Sequence, residues 1–488
     1  MPASLKKKAL AAVTWGAADV VLRQGMSFGV SIILARLVAP GEFGTIALLY
    51  LFVGLVGVFI DGGFTSALIQ RKDVTHTDES TVFWFNMAMG LAGAVAIAAL
   101  GPWIADFYQV PILVPLAGIV GLNLFAGALG SIHGTLFTKR LDFKTPMKIG
   151  LVATGVSGAV GIGMAWQGFG VWALAMQTLT STLLTTSLLW LFNTWRPRFE
   201  FSMASARSLF SFGGYMLASK LLDIVYSRIH TLLIGKLFGI SKLGYYSRAE
   251  SMKELPVGIL SNILSSVAFP IFSAAAGDRE MLQRGTRQAV RAMMLINVPV
   301  MFGIIATASA LIETLMGPQW LPSVPVLQIL CLAGVFWPLH VINLNVLMAQ
   351  GHSNLFFRLE VTKKVVGVGF LAIGTFYGVA GIAWSQVAYG VLAFLINSHY
   401  TRLNLSYGPW RQVLDFLPVM GLSGLMMISV YSFGQIFDGP APLVFLFQVM
   451  TGAVIFISGC HLFGVQAYYD AGSLISNRFP RLRLGRPR

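Results

Sequence analysis

The sequence predicts an all-α polytopic membrane protein with about 14 transmembrane helices, as two pseudo-symmetric six-helix lobes plus two C-terminal helices. Three observations predict it. Hydrophobic residues make up 56% of the 488 and charged residues 11%, against about 25% charged in a soluble domain. Apolar stretches long enough to cross a bilayer, roughly 20 residues each, recur along nearly the whole chain. Lys and Arg cluster in alternate connections between those stretches. The stretches lack the period-2 alternation of a transmembrane barrel, which sets the β alternative aside.

The apolar spans fall at 12–36, 43–62, 80–101, 112–132, 148–166, 169–192, 208–235, 244–272, 287–312, 324–349, 356–376, 379–400, 412–435 and 442–464. The breaks carry turn chemistry: Ala39-Pro40-Gly41, Gly101-Pro102, Gln167-Gly168, Gly317-Pro318 and Asp438-Gly439-Pro440. Lys6-Lys7-Lys8 ahead of an apolar run imitates the start of a signal peptide. The run from Val13 to Val38 is too long for one, so it reads as a retained first helix.

A net charge of +15 would suggest nucleic acid in a soluble chain; here its distribution gives topology instead. With the N-terminus in the cytoplasm, cytoplasmic regions hold 26 of the 34 Lys and Arg, Lys363 and Lys364 counted among them, and outer loops hold only Arg36, Lys236 and Lys242. That split follows the positive-inside rule. It predicts a multi-pass inner-membrane protein with both termini cytoplasmic.

An internal repeat divides the chain. Ile33-Leu34-Ala35-Arg36-Leu37 with Phe43-Gly44 recurs 200 residues later as Leu233-Ile234-Gly235-Lys236-Leu237 with Leu243-Gly244. Gly170-Val171-Trp172-Ala173 is echoed by Gly381-Ile382-Ala383-Trp384. The expected organisation is a six-helix lobe over 1–200, a second over 201–405, two additional helices over 406–465 and a basic cytoplasmic tail over 466–488. Paired repeats of this kind hold substrate where they meet, near the midplane.

Charge inside a span is costly, so intramembrane charges are the main site candidates. Asp19 and Arg23 lie four apart in the first span and share a face. Lys220, Asp223 and Arg228 lie in the seventh, where Asp223 falls at the position of Arg23 under the 200-residue offset. Arg248, Glu250, Lys253 and Glu254 lie in the eighth, and Asp61 ends the second. Five basic groups face four acidic ones in spans one, seven and eight, which predicts a slightly cationic, hydrated cavity suited to an anionic headgroup. The substrate-binding candidates are Arg23, Lys220, Arg228 and Arg248. The ion-coupling candidates are Asp61, Asp223, Glu250 and Glu254. The alternative is interhelical ion pairs that only fix packing. Asn86, Asn123, Gln177, Asn262, Asn343, Asn345 and Gln386 read as interhelical hydrogen-bond glue before cavity lining. Trp84, Trp103, Trp166, Trp320 and Trp410 read as interface belts.

Catalysis, metal and cofactor use find no support. Cys331 and Cys460 are isolated, and neither HExxH nor GxxxxGK[ST] occurs.

Several segments resemble Wzx-type polysaccharide flippases of the multidrug/oligosaccharidyl-lipid/polysaccharide exporter superfamily, most of all the colanic-acid exporter-like lipopolysaccharide biosynthesis proteins. They are Ile33–Leu37 with Phe43-Gly44, Asp61-Gly62-Gly63-Phe64 through Leu68-Ile69-Gln70-Arg71, Gly244-Tyr245-Tyr246-Ser247-Arg248-Ala249, Leu255-Pro256 and Phe269-Pro270. The resemblance implies a transporter, not an enzyme, that flips an undecaprenyl-diphosphate-linked oligosaccharide repeat unit by alternating access, for exopolysaccharide or lipopolysaccharide assembly. It implies membrane lipids as surroundings, and a polysaccharide polymerase and chain-length proteins as candidate partners. It also implies a lipid-tail groove at 412–464. The rivals are a drug/cation antiporter of the same superfamily, which would want an acidic cavity, and a peptidoglycan-precursor flippase. A polymerase or ligase would need a long periplasmic loop, and no periplasmic loop exceeds about a dozen residues on this map.

Overall fold

The computed structural model describes residues 3–61, 63–71 and 73–470. The tail beyond 470 and the side chains of Asp61 and Asn262 lie outside the described residues. Among the described residues every regular element is helical, as a chain immersed in hydrocarbon requires, because helices satisfy their backbone groups internally.

The helices are α1 (Ala3–Leu37), α2 (Pro40–Asp61), α3 (Phe64–Gln70), α4 (His76–Tyr108), α5 (Leu113–Lys139), α6 (Lys144–Trp166), α7 (Val171–Phe192), α8 (Met203–Leu237), α9 (Ile240–Ala274), α10 (Arg279–Met316), α11 (Val324–Ala349), α12 (Ser353–Thr375), α13 (Gly378–Leu405), α14 (Pro409–Ile436) and α15 (Ala441–Leu462). A short 3-10 turn, Pro318–Ser323, precedes α11. Among the described residues, nine segments are long and apolar enough to cross a membrane. The long helices outside that set include α1, α8, α9 and α12. Those four carry charges along their length.

Two boundaries differ from the sequence expectation. Gly101-Pro102 does not end a helix; α4 runs through it to Tyr108. A Cβ at Gly101 would stand 3.1 Å from Ala117 Cβ, so α5 packs closely at the proline turn. Neighbouring helices make such prolines tolerable in a membrane. The seven-residue α3 was not expected; it starts at Gly63, whose φ of 75° suits glycine.

The chain forms two compact units, Met1–Gly244 and Tyr245–Arg488. In the first, α1 packs on α6, α6 on α7, α7 on α5 and α5 on α4, while α8 packs on α2, α3 and α4. The repeated motif meets itself here. A Cβ on Gly44 would collide with the Ile240 carbonyl oxygen, and one on Gly244 with that of Pro40. The two contacts are reciprocal between positions 200 apart, and only glycine permits them. α4 begins with a capping box: Thr75 Oγ1 accepts from Asp78 N at 3.2 Å, and Asp78 Oδ2 from Thr75 N at 2.9 Å.

In the second unit α10 packs against α11, α14 and α15, α11 and α12 both pack on α13, and α14 packs on α15. Trp320, expected at an interface belt, is instead fully buried, 6.0 Å from the Tyr245 ring in an edge-on arrangement. One carboxylate joins α10 to α14. Asp415 accepts from Arg287 Nε and Nη2 at 2.7 Å each, from Arg291 Nε at 3.0 Å and from the Tyr407 hydroxyl at 2.9 Å. Burial and the neighbouring carboxylate hold the Tyr407 phenol well above its usual range, so it stays a donor.

Candidate functional site

Charged side chains occur in two different settings. In the first unit they are exposed. Arg23 Nε pairs with Asp19 Oδ1 at 3.2 Å, with side chains 52% and 23% exposed. Gly150 on α6 leaves room for the pair, since a Cβ there would stand 2.9 Å from Arg23 Cδ. The pair therefore lies across a flat spot of the helix that α1 packs on. On α8, Lys220, Asp223 and Arg228 are all exposed, interspersed with exposed Leu222 and Val225. Charge of this kind is costly to hold in hydrocarbon.

In the second unit the predicted residues are mixed, with the Glu254 side chain 64% exposed. Arg248 and Glu250 on α9 are half-buried. Lys253 Nζ pairs with Glu254 Oε1 at 3.2 Å, and the Lys253 stem lies against Gly334 of α11. The Asp61 side chain lies outside the described residues.

The structure also contains a charged cluster that the sequence reading missed. Lys363 was counted among the cytoplasmic charges, within the span at 356–376. It lies inside α12 with no exposed side-chain surface. Its Nζ donates to Glu360 Oε1 at 2.5 Å and to Asn397 Oδ1 of α13 at 3.1 Å. Asn397 Nδ2 lies 2.9 Å from His340 Nδ1 of α11, and His340 Nε2 faces Glu360 Oε1 at 3.9 Å. Lys364 approaches the other oxygen of Glu360 at 3.9 Å. The four residues close a ring across α11, α12 and α13. The i, i+3 spacing of Glu360 and Lys363 was the available signal.

About one helical turn away, Asn343 and Gln412 form a mutual amide pair at 3.0 and 2.9 Å, and Thr401 donates to Asn343 Oδ1 at 2.7 Å. Asn343 is thus the interhelical glue that its residue type suggested. Among the described residues no group of His, Cys, Asp and Glu is arranged to hold a metal ion.

These features sit on a recognisable chain. Residues 33–325 match the family model described as polysaccharide biosynthesis protein. The chain belongs to that family. It is 28% identical over 417 residues to the teichuronic acid biosynthesis protein TuaB of Bacillus subtilis, covering 83% of this chain and 84% of TuaB. It is 25% identical over 482 residues to the succinoglycan biosynthesis transport protein ExoT of Rhizobium meliloti, covering 98% and 96%. Its fold is similar to that of the lipid II flippase MurJ in an inward closed conformation, with TM-score 0.75 at 16% identity over 93% of this chain and 98% of that one. The resemblance to Wzx-type flippases is borne out, as is the all-helical, multi-pass membrane fold.

Proposed function

We propose that this family member flips an undecaprenyl-diphosphate-linked oligosaccharide repeat unit across the bacterial inner membrane by alternating access, with both termini in the cytoplasm. The observation that carries the reading is the exposed charge on α1 and α8 of the first unit, in a chain whose relatives act in polysaccharide biosynthesis and transport. Arg23, Lys220 and Arg228 replace part of the hydration of the diphosphate while the prenyl chain stays in lipid, and Arg248 is a separate substrate-binding candidate. Guanidinium groups suit phosphate through paired hydrogen bonds. The chain acts as a transporter and transforms no bond. An ion gradient resets it, with Asp61, Asp223, Glu250 and Glu254 as the coupling residues.

The test is a deletion strain complemented with wild type or variants. Loss of the protein should accumulate lipid-linked repeat units on the cytoplasmic side and abolish surface polymer. Arg23→Ala, Lys220→Ala and Arg228→Ala should each reproduce part of that defect at equal expression. Normal polymer from all three would overturn the cationic-site assignment. A deletion that accumulates no lipid-linked sugar would overturn the function.

A further inference from the structure

The second unit contains a basic crevice that includes none of the charged residues proposed to hold the transported headgroup. It encloses about 320 Å³ and is lined by Gln283, Arg284 and Arg287 from the start of α10, Tyr407 from the connection after α13, and Arg411, Leu414 and Asp415 from the start of α14. Three guanidinium groups face one carboxylate. That carboxylate is already saturated by Arg287, Arg291 and Tyr407, so it fixes the walls in place without neutralising them. Arg411 Nη1 donates to the Ser406 carbonyl at 2.9 Å, and Arg279 Nη2 to the Ser406 hydroxyl at 2.9 Å. Arg284 Nε reaches the Glu280 carbonyl at 3.4 Å. Each of Arg284 and Arg411 therefore spends one donor on backbone and keeps others for a ligand.

Beside the crevice runs an apolar strip. Trp410, Leu414 and Leu417 share one face of α14 at helical spacing and are 71%, 48% and 46% exposed. Leu425 and Ile428 continue it at 58% and 60%. An amphipathic Trp at the head of an exposed apolar strip marks the boundary between headgroups and hydrocarbon. Arginines at that level, next to a surface made for acyl chains, fit a ligand with a phosphate at one end and hydrocarbon at the other.

We propose that this crevice binds the phosphate of an anionic phospholipid headgroup, with the acyl chains along Trp410, Leu414 and Leu417. Arg284 and Arg411 hold the phosphate oxygens, and the Arg287–Asp415 pair braces them. The site does not depend on the identity of the transported substrate.

The experiment is native mass spectrometry of the purified full-length protein in detergent, with phosphatidylglycerol, phosphatidylcholine or undecaprenyl diphosphate added. The wild type should retain phosphatidylglycerol in preference to phosphatidylcholine. Arg284→Gln with Arg411→Gln should reduce phosphatidylglycerol retention by about tenfold at unchanged unfolding temperature. Should the unfolding temperature fall, Arg284→Lys with Arg411→Lys takes its place as the readout: preserved preference for phosphatidylglycerol supports the site, and its disappearance refutes it. Equal retention of both phospholipids by the wild type, or no change in the glutamine variant, overturns the proposal. Displacement of phosphatidylglycerol by equimolar undecaprenyl diphosphate makes the crevice a substrate subsite and also overturns it. Because the readout is lipid binding, its failure leaves the complementation outcome for transport untouched.

Discussion

The first unit exposes the charges of α1 and α8; the second draws those of α12 into a cluster closed around Lys363. Arg23 pairs with Asp19 while keeping half its surface open. Lys363 pairs with Glu360 and Asn397 and keeps none. The same residue types therefore do opposite work. A charge that stays exposed contributes little to folding, since exposed pairs are worth about 0–1 kcal/mol. A charge closed into a ring fastens three helices together and is indispensable to the packing it sits in.

The sharpest way to break this contrast is to remove one partner from the ring. Lys363→Met should destabilise the protein by about 1–3 kcal/mol, because half-buried Glu360 and buried Asn397 lose their shared donor while Lys364 still faces Glu360 at 3.9 Å. Adding Glu360→Gln to Lys363→Met should recover much of that loss. Thermal unfolding in detergent checks both; an unchanged unfolding temperature in the single variant would show that the ring is not a lock.

A comparable effect is expected at the repeat contact. Gly44→Ala should cost about 1–3 kcal/mol, since its Cβ would overlap the Ile240 carbonyl and the backbone must shift. Gly244→Ala should match it, because the contact is reciprocal. Unequal losses in the same unfolding assay would separate the two motifs.

The smallest stability effect belongs to the exposed set. Arg23→Ala should change folding by less than about 1 kcal/mol while lowering surface polymer. Gly150→Ala should act in the same sense: its Cβ displaces the Arg23 stem, shifting transport more than unfolding temperature.

Most of the fold was legible because hydrocarbon imposes a simple length rule, and the Lys and Arg distribution repeated it independently. Asp19 and Arg23 were legible as a pair because four residues make one helical turn. The ring was not legible. Lys363 and Lys364 follow Arg358 closely, so they read with it as cytoplasmic charges until three helices set His340, Glu360 and Asn397 around Lys363. No spacing within one segment encodes that convergence. Trp320 and the Gly101-Pro102 turn were misread for a related reason. A belt tryptophan and a core tryptophan look alike in sequence, and a proline ends a helix only where no neighbour supports it.

The most direct measurement is the double variant Arg23→Ala with Arg228→Ala, followed in parallel by thermal unfolding and by the cytoplasmic pool of lipid-linked repeat units. Near wild-type unfolding with a strongly enlarged pool is the expected result. A large fall in unfolding temperature, or a normal pool in a well-folded variant, would mean that the exposed charges of the first unit do not serve transport.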